Sequence, residues 1–158
     1  MYGFRRGVGG LGAGISTVGS AYAEITLIGN VAATTLTVQN TWYPILPVAW
    51  TSDQTPLRMT INAAAGTITS NTSGSFATMA TIAFTSTAAP NTVEFAIFKD
   101  GVQVVDHKAI TWTDTATFPN TVSVTGIDAL TNGNVLDIRA RCTTAGAIDI
   151  VVTDANLS

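Results

Sequence analysis

His107 is the single histidine of the chain and follows Asp106 directly, so two members of an acid–base constellation stand side by side. A hydrolytic set also needs a nucleophile, and no motif marks one among the many serines and threonines. Glu94 with one of the aspartates outlines a glycosidase pair, but spacing along the chain fixes no separation between the carboxyl groups. One histidine and one cysteine, Cys142, cannot complete a tetrahedral zinc site in a single chain. Asp128, Asn132, Asn134 and Asp137 offer oxygens for calcium, yet their spacing is not that of an EF-hand and turn chemistry accounts for them equally. Trp42, Tyr43 and Trp50 lie close together and have two readings: a platform on which a sugar ring stacks, or a packed lid on the end of a sandwich. Gly7, Gly9 and Gly12 spell G-x-G-x-x-G, but no strand precedes them and no helix pattern follows, so a dinucleotide site is rejected. The expectation is a protein that is not an enzyme and uses no metal and no cofactor.

The elements that must position these groups are strands. Val93 to Thr111 reads as a hairpin turning at Asp100-Gly101, a pair suited to a type I′ turn because both central residues take positive φ. That turn sets Lys99 opposite Val102, Ile97 opposite Val104 and Phe95 near Asp106, and it places His107 across from Glu94. Leu136, Ile138, Ala140 and Cys142 alternate with Asp137, Arg139 and Arg141, and beyond Thr144-Ala145-Gly146 Ile148, Ile150 and Val152 alternate with Asp149, Val151 and Thr153. These two runs are expected to pair as a hairpin, with Cys142 facing Ile148 and Arg141 facing Asp149 on the outward side. Their alternation puts Cys142 in the core, where it should resist thiol reagents. Shorter runs at Tyr22 to Ile28, Thr34 to Val38, Leu57 to Asn62, Thr67 to Thr69 and Thr121 to Thr125 read as strands, the last ended by Gly126. Gly74 to Thr85 is longer, with Phe76, Ala80, Ile82 and Phe84 on one face. Many short strands with frequent turns and no convincing helix predict an all-β antiparallel sandwich or jelly roll.

The 158 residues fit one domain with one core. Only 11% of them are charged, under half of the roughly 25% usual in soluble domains, so much of the surface is expected to be covered by other subunits, with Phe98 and Val151 as apolar outer candidates. No apolar run is long enough for a membrane span. A net charge of −3 with scattered lysines and arginines excludes a phosphate-tracking surface, so neither membrane nor nucleic acid is an expected partner. A lone cysteine allows no internal disulfide framework, and neither an export nor a lipidation signal is visible.

Residues 1–21 form a glycine-dense N-terminal arm, and residues 22–158 the jelly-roll domain. Ordering such an arm costs backbone entropy that its few side chains cannot offset, so a partner surface is expected to hold it through Tyr2, Phe4, Arg5 and Arg6.

The stretches SGSFATMATIAFTS at Ser73 to Ser86, VEFAIFKDG at Val93 to Gly101, VSVTGIDALTNGNVLDIRARC at Val122 to Cys142 and AIDIVVTDANLS at Ala147 to Ser158 resemble the C1q/TNF-like jelly roll of phage virion accessory proteins. That group commonly shows a Gly-x-Tyr-x-Ile strand, an Asn-Gly hairpin and a Leu before a Gly-Asp turn. Here these appear as Gly74-Ser75-Phe76, Asp100-Gly101, and Leu130 with Gly133-Asn134. The resemblance implies a homotrimer on a virion, made in the host cytoplasm. It implies a capsid decoration (cement) protein bound to the major capsid protein or another virion protein or, as the alternative, a fibre or tail-tip domain that binds host surface carbohydrate.

Overall fold

The computed structural model describes residues 20–45 and 50–158. Eleven strands make it up: β1 (Ile25–Leu27), β2 (Ala33–Leu36), β3 (Tyr43–Pro44), β4 (Met59–Asn62), β5 (Thr67–Ser70), β6 (Gly74–Ser86), β7 (Asn91–Lys99), β8 (Val102–Thr113), β9 (Asn120–Leu130), β10 (Val135–Cys142) and β11 (Ile148–Leu157). A five-stranded sheet runs β1-β11-β6-β9 with β2 also paired to β11; a six-stranded sheet runs β4-β5-β10-β7-β8 with β3 also paired to β10. The pairings are antiparallel, and the two sheets face each other as a sandwich. No helix among the described residues is long and apolar enough to cross a membrane.

Period-2 alternation builds the core from both sides. Ala80, Ile82 and Phe84 of β6 and Ile150 and Val152 of β11 are buried against Val93, Phe95 and Ile97 of β7 and Ile138 and Ala140 of β10. Phe84 meets Phe95 across the sandwich with ring centroids 4.8 Å apart and planes tilted by 58°. Cys142 is fully buried in this layer, as the alternation requires.

The β7–β8 turn forms at Asp100-Gly101, with φ of 51° and 77°, and Lys99 pairs with Val102 as the turn dictates. Beyond Phe98 and Gln103 the register shifts: Ala96 pairs with Lys108, Phe95 with Ala109 and Glu94 with Ile110. His107 therefore does not face Glu94, and Phe95 does not approach Asp106, because an irregularity in β8 inserts extra residues on one side of the ladder. The expected hairpin of β10 and β11 is also corrected. β10 lies between β5 and β7 while β11 lies between β1 and β6, so the connection after Cys142 crosses from one sheet to the other. Cys142 and Ile148 are both buried, but Arg141 pairs with Glu94 on β7 and Asp149 with Thr35 on β2. Apolar alternation is the same whether two strands sit side by side or face one another over a core, and here they do the latter.

Gly126 does not end a strand, since β9 runs through it to Leu130. A Cβ on Gly126 would fall 1.1 Å from Nε2 of His107, so the glycine makes room for the imidazole arriving from β8.

Candidate functional site

The two outer faces of the sandwich are the places where this chain can meet a partner, and their chemistry is opposite. On the six-stranded sheet the outward positions of β7 are Glu94, Ala96 and Phe98, all buried although they point away from the core. They are covered locally. Arg141 donates to Oε2 of Glu94 from Nε at 2.7 Å, and its second contact from the guanidinium fork is 2.6 Å. Lys108 on β8 approaches the other Glu94 oxygen at 4.0 Å. Arg139 donates from Nε to Asp137 at 2.6 Å and lies over the Phe98 ring at 4.4 Å. Trp42, arriving from the segment before β3, meets Phe98 edge-on at 5.3 Å and lies under the Arg141 guanidinium at 4.6 Å. Each charge has an opposite charge or an aromatic face, the arrangement in which burial of charge is tolerated.

The five-stranded sheet shows no such cover. Its outward positions on β6 are Ser75, Ala77, Met79, Thr81, Ala83 and Thr85, and on β9 Thr121, Ser123, Thr125, Ile127 and Ala129. None is charged. Register aligns Thr26, Asn156, Thr81 and Ser123 in one row across β1, β11, β6 and β9. Met79 is 46% exposed and Ile127 76%. Between β1, β11 and β6 the face dips into an open groove of about 200 Å³ lined by Leu27, Ile28, Thr81, Ala83, Ala155 and their neighbours. Asp149, bonded to the Thr35 hydroxyl at 2.5 Å, and Asp154, which accepts from the Gly29 amide at 3.3 Å, lie on β11.

The residues singled out for chemistry do not converge. His107 and Asp128 meet inside the sandwich, with Nδ1 3.4 Å from Oδ1, and the second oxygen of Asp128 accepts from the Thr78 hydroxyl at 2.8 Å. The contact is within ion-pair distance but forms no hydrogen bond, and Nδ1 has no hydrogen-bond partner among the described residues. The carboxylate stands between hydroxyl and imidazole, so the imidazole is not placed to take the hydroxyl proton. Asn134 bonds Asp100 at 2.6 Å and the Thr131 amide at 2.6 Å, Asp137 holds Arg139, Asn132 lies in the exposed β9–β10 turn, and Asp128 is inside, so the four residues considered for calcium serve separate turns and pairs. No cluster of three metal-ligating side chains occurs among the described residues.

Trp42, Tyr43 and Trp50 do not share one exposed surface. Trp42 is packed on Phe98, the Tyr43 hydroxyl accepts from the Val38 amide at 2.9 Å, and Trp50 is 4% exposed over Gly66. Gly66 has φ of 65°, and a Cβ there would fall 2.3 Å from Nε1 of Trp50, so turn and tryptophan require the glycine together. Tyr2, Phe4, Arg5 and Arg6 lie outside the described residues. The outward networks of Glu94, Arg141, Phe98 and Trp42 escaped sequence reasoning because their partners come from strands far apart in the chain.

No family model and no curated protein sequence matches this chain. Solved structures do. Eiger TNF from S. frugiperda superposes with a TM-score of 0.60 at 12% identity, over 87% of this chain and 92% of that one. Murine APRIL gives 0.54 at 11% identity, over 88% and 99%. The globular domain of zebrafish complement 1qA protein gives 0.53 at 9% identity, over 87% and 96%. The fold is therefore the antiparallel jelly roll expected from the strand pattern, of the C1q/TNF-like type that the resemblance implied. At these identities the likeness concerns the fold alone.

Proposed function

We propose that this chain is a structural, non-catalytic protein that assembles as a homotrimer through the outer face of the five-stranded sheet and decorates a virion shell. The observation that carries the reading is the uncharged row of threonine, serine, alanine, methionine and isoleucine side chains on β6 and β9. Burying such a face against a second copy desolvates few strongly hydrated groups, whereas β7 and β10 of the other sheet already pair their charges and cover their aromatics within the chain. Three copies related by a rotation axis can use one such face each and close without leaving a free edge. The virion setting is supported by the resemblance of the Ser73 to Ser158 stretches to phage accessory proteins. Attachment is assigned to the N-terminal segment through Tyr2, Phe4, Arg5 and Arg6.

Two measurements test the reading. Sedimentation of the full chain at micromolar concentration should give the mass of three copies, and a stable monomer at that concentration overturns the assembly. Deleting residues 1–20 should preserve the trimer and abolish binding to particles stripped of the protein; full binding by the truncated chain overturns the attachment.

A further inference from the structure

The connection from β8 to β9 carries side chains that the proposed assembly face does not use. Trp112, near the end of β8, is 53% exposed, and Phe118 in the connection is 66% exposed. With Asp114, Thr115 and Asn120 they line an open groove of about 280 Å³. The neighbouring Thr113 is fully buried, so Trp112 points away from the core, on the outer side of the six-stranded sheet opposite Thr92. The groove thus sits at the edge of the sandwich where the chain passes from β8 to β9, with Trp112 on the outer side of the six-stranded sheet and Asn120 at the start of β9.

Its walls are held by the backbone. The Thr117 amide donates to the Ser86 carbonyl at 2.7 Å, and the Phe118 amide to the Thr115 carbonyl at 3.3 Å. Asn120 donates from Nδ2 to the Phe118 carbonyl at 2.9 Å, which leaves its Oδ1 as the amide atom available to a ligand. The Asp114 carboxylate makes no hydrogen bond or ion pair among the described residues.

We propose that this groove binds one neutral sugar ring of a glycan. The C–H face of a pyranose is apolar and packs on aromatic rings, while its rim hydroxyls donate hydrogen bonds. Trp112 and Phe118 supply the first surface. An ionised carboxylate only accepts, as does Oδ1 of Asn120, so the ligand must be rich in donors, and acidic sugars or phosphates are repelled by Asp114. The volume falls just below the roughly 300–1,000 Å³ of drug-sized sites, which suits one ring and not a long oligosaccharide stretch. A second copy of the chain seated here would have to bring a cation to Asp114 or leave its charge dry and unpaired, a cost that a hydroxylated ligand avoids. This reading is independent of how the chain assembles or what it decorates.

The test uses the assembled full chain and NMR of the Trp112 indole N–H, assigned by its loss in Trp112→Ala. Glucose, galactose, mannose and N-acetylglucosamine are titrated separately, with glucuronate as the anionic control. At least one neutral sugar should shift the resonance saturably at millimolar concentration, and glucuronate should not. Asp114→Ala and Phe118→Ala, both at exposed positions that leave the core intact, should each weaken that binding about tenfold or more. Absence of a shift with all four neutral sugars, equal binding of glucuronate, or unchanged affinity in both variants overturns the proposal. So does an indole N–H already protected from solvent exchange in the unliganded assembly, which would mean that a second copy covers the groove.

Discussion

On the outer side of the six-stranded sheet, Glu94 is held by Arg141 and Lys108, Asp137 by Arg139, and both arginines lie over aromatic rings. On the outer side of the five-stranded sheet, β6 and β9 present Thr81, Ser123, Met79 and Ile127 to solvent with no charge among them. Over β7 and β10 the first surface is finished within one chain, since each buried charge already has its partner and Trp42 already has its neighbours, while β8 at the edge leaves Ile110 and Trp112 exposed. The second is unfinished: apolar and hydroxyl groups lie open where a soluble monomer would place lysine and glutamate. Composition alone cannot tell these cases apart, because both sheets draw on the same low stock of charge. What differs is whether the outward residues find partners on adjacent strands.

Substitutions can break this contrast. Glu94→Ala should cost the most, about 3–5 kcal/mol of folding stability by urea denaturation, because it strands Arg141 on a mostly covered face. A loss under about 1 kcal/mol would show that this face behaves as an ordinary solvated surface. Trp42→Ala should cost about 1–3 kcal/mol, from its edge contact with Phe98 and its place beneath Arg141. Comparing it with Trp42→Ala in an Arg141→Met background separates the two contributions, and additive losses would mean the guanidinium contributes nothing through the ring. Thr81→Glu should change the stability of the single chain least, within about 0.5 kcal/mol, yet it should convert the proposed trimer to monomer in sedimentation, as each copy would bring a new carboxylate into the uncharged rows of β6 and β9, where no arginine or lysine is at hand to pair it. A trimer that survives Thr81→Glu would place assembly elsewhere. Cys142, buried between the two sheets, should remain unmodified by thiol reagents until the fold opens, whichever face is altered.

Local chemistry made much of this fold legible before the structure. Asp100-Gly101 specified a turn and the first pair beside it, and Phe76, Ala80, Ile82 and Phe84 named the inward face of β6 correctly. Register farther along β8 was not legible, since the irregularity between Ala96 and Phe98 has no turn residue to announce it. The partners of β10 and β11 were misread for a different reason: alternation reports that a strand has an apolar face and is silent on which sheet it joins. His107 was matched to Glu94 by counting along the hairpin, whereas its real neighbour, Asp128, sits on the other sheet, and the only local sign was a glycine in mid-strand. Among the aromatics, proximity in sequence drew attention to Trp42, Tyr43 and Trp50. Trp112, Asp114, Phe118 and Asn120, in and beside the β8–β9 connection, line one groove that sequence reasoning passed over.

The crossing of the chain after Cys142 also governs the order in which the molecule can be made. β11 is the strand against which β1, β2 and β6 all pair, yet it is the last of the eleven to be synthesised. While a ribosome is still extending the chain, β1 and β2 have no ladder to join, and β6 can pair only with β9. The six-stranded sheet needs nothing beyond β10 for its own ladders, so it is able to form first and wait with its inner face uncovered. Closing the sandwich then depends on contacts distant in sequence, which form slowly and expose apolar strands to aggregation in the meantime. A nascent chain stalled before Ile148 is accordingly the species of this protein most in need of a chaperone.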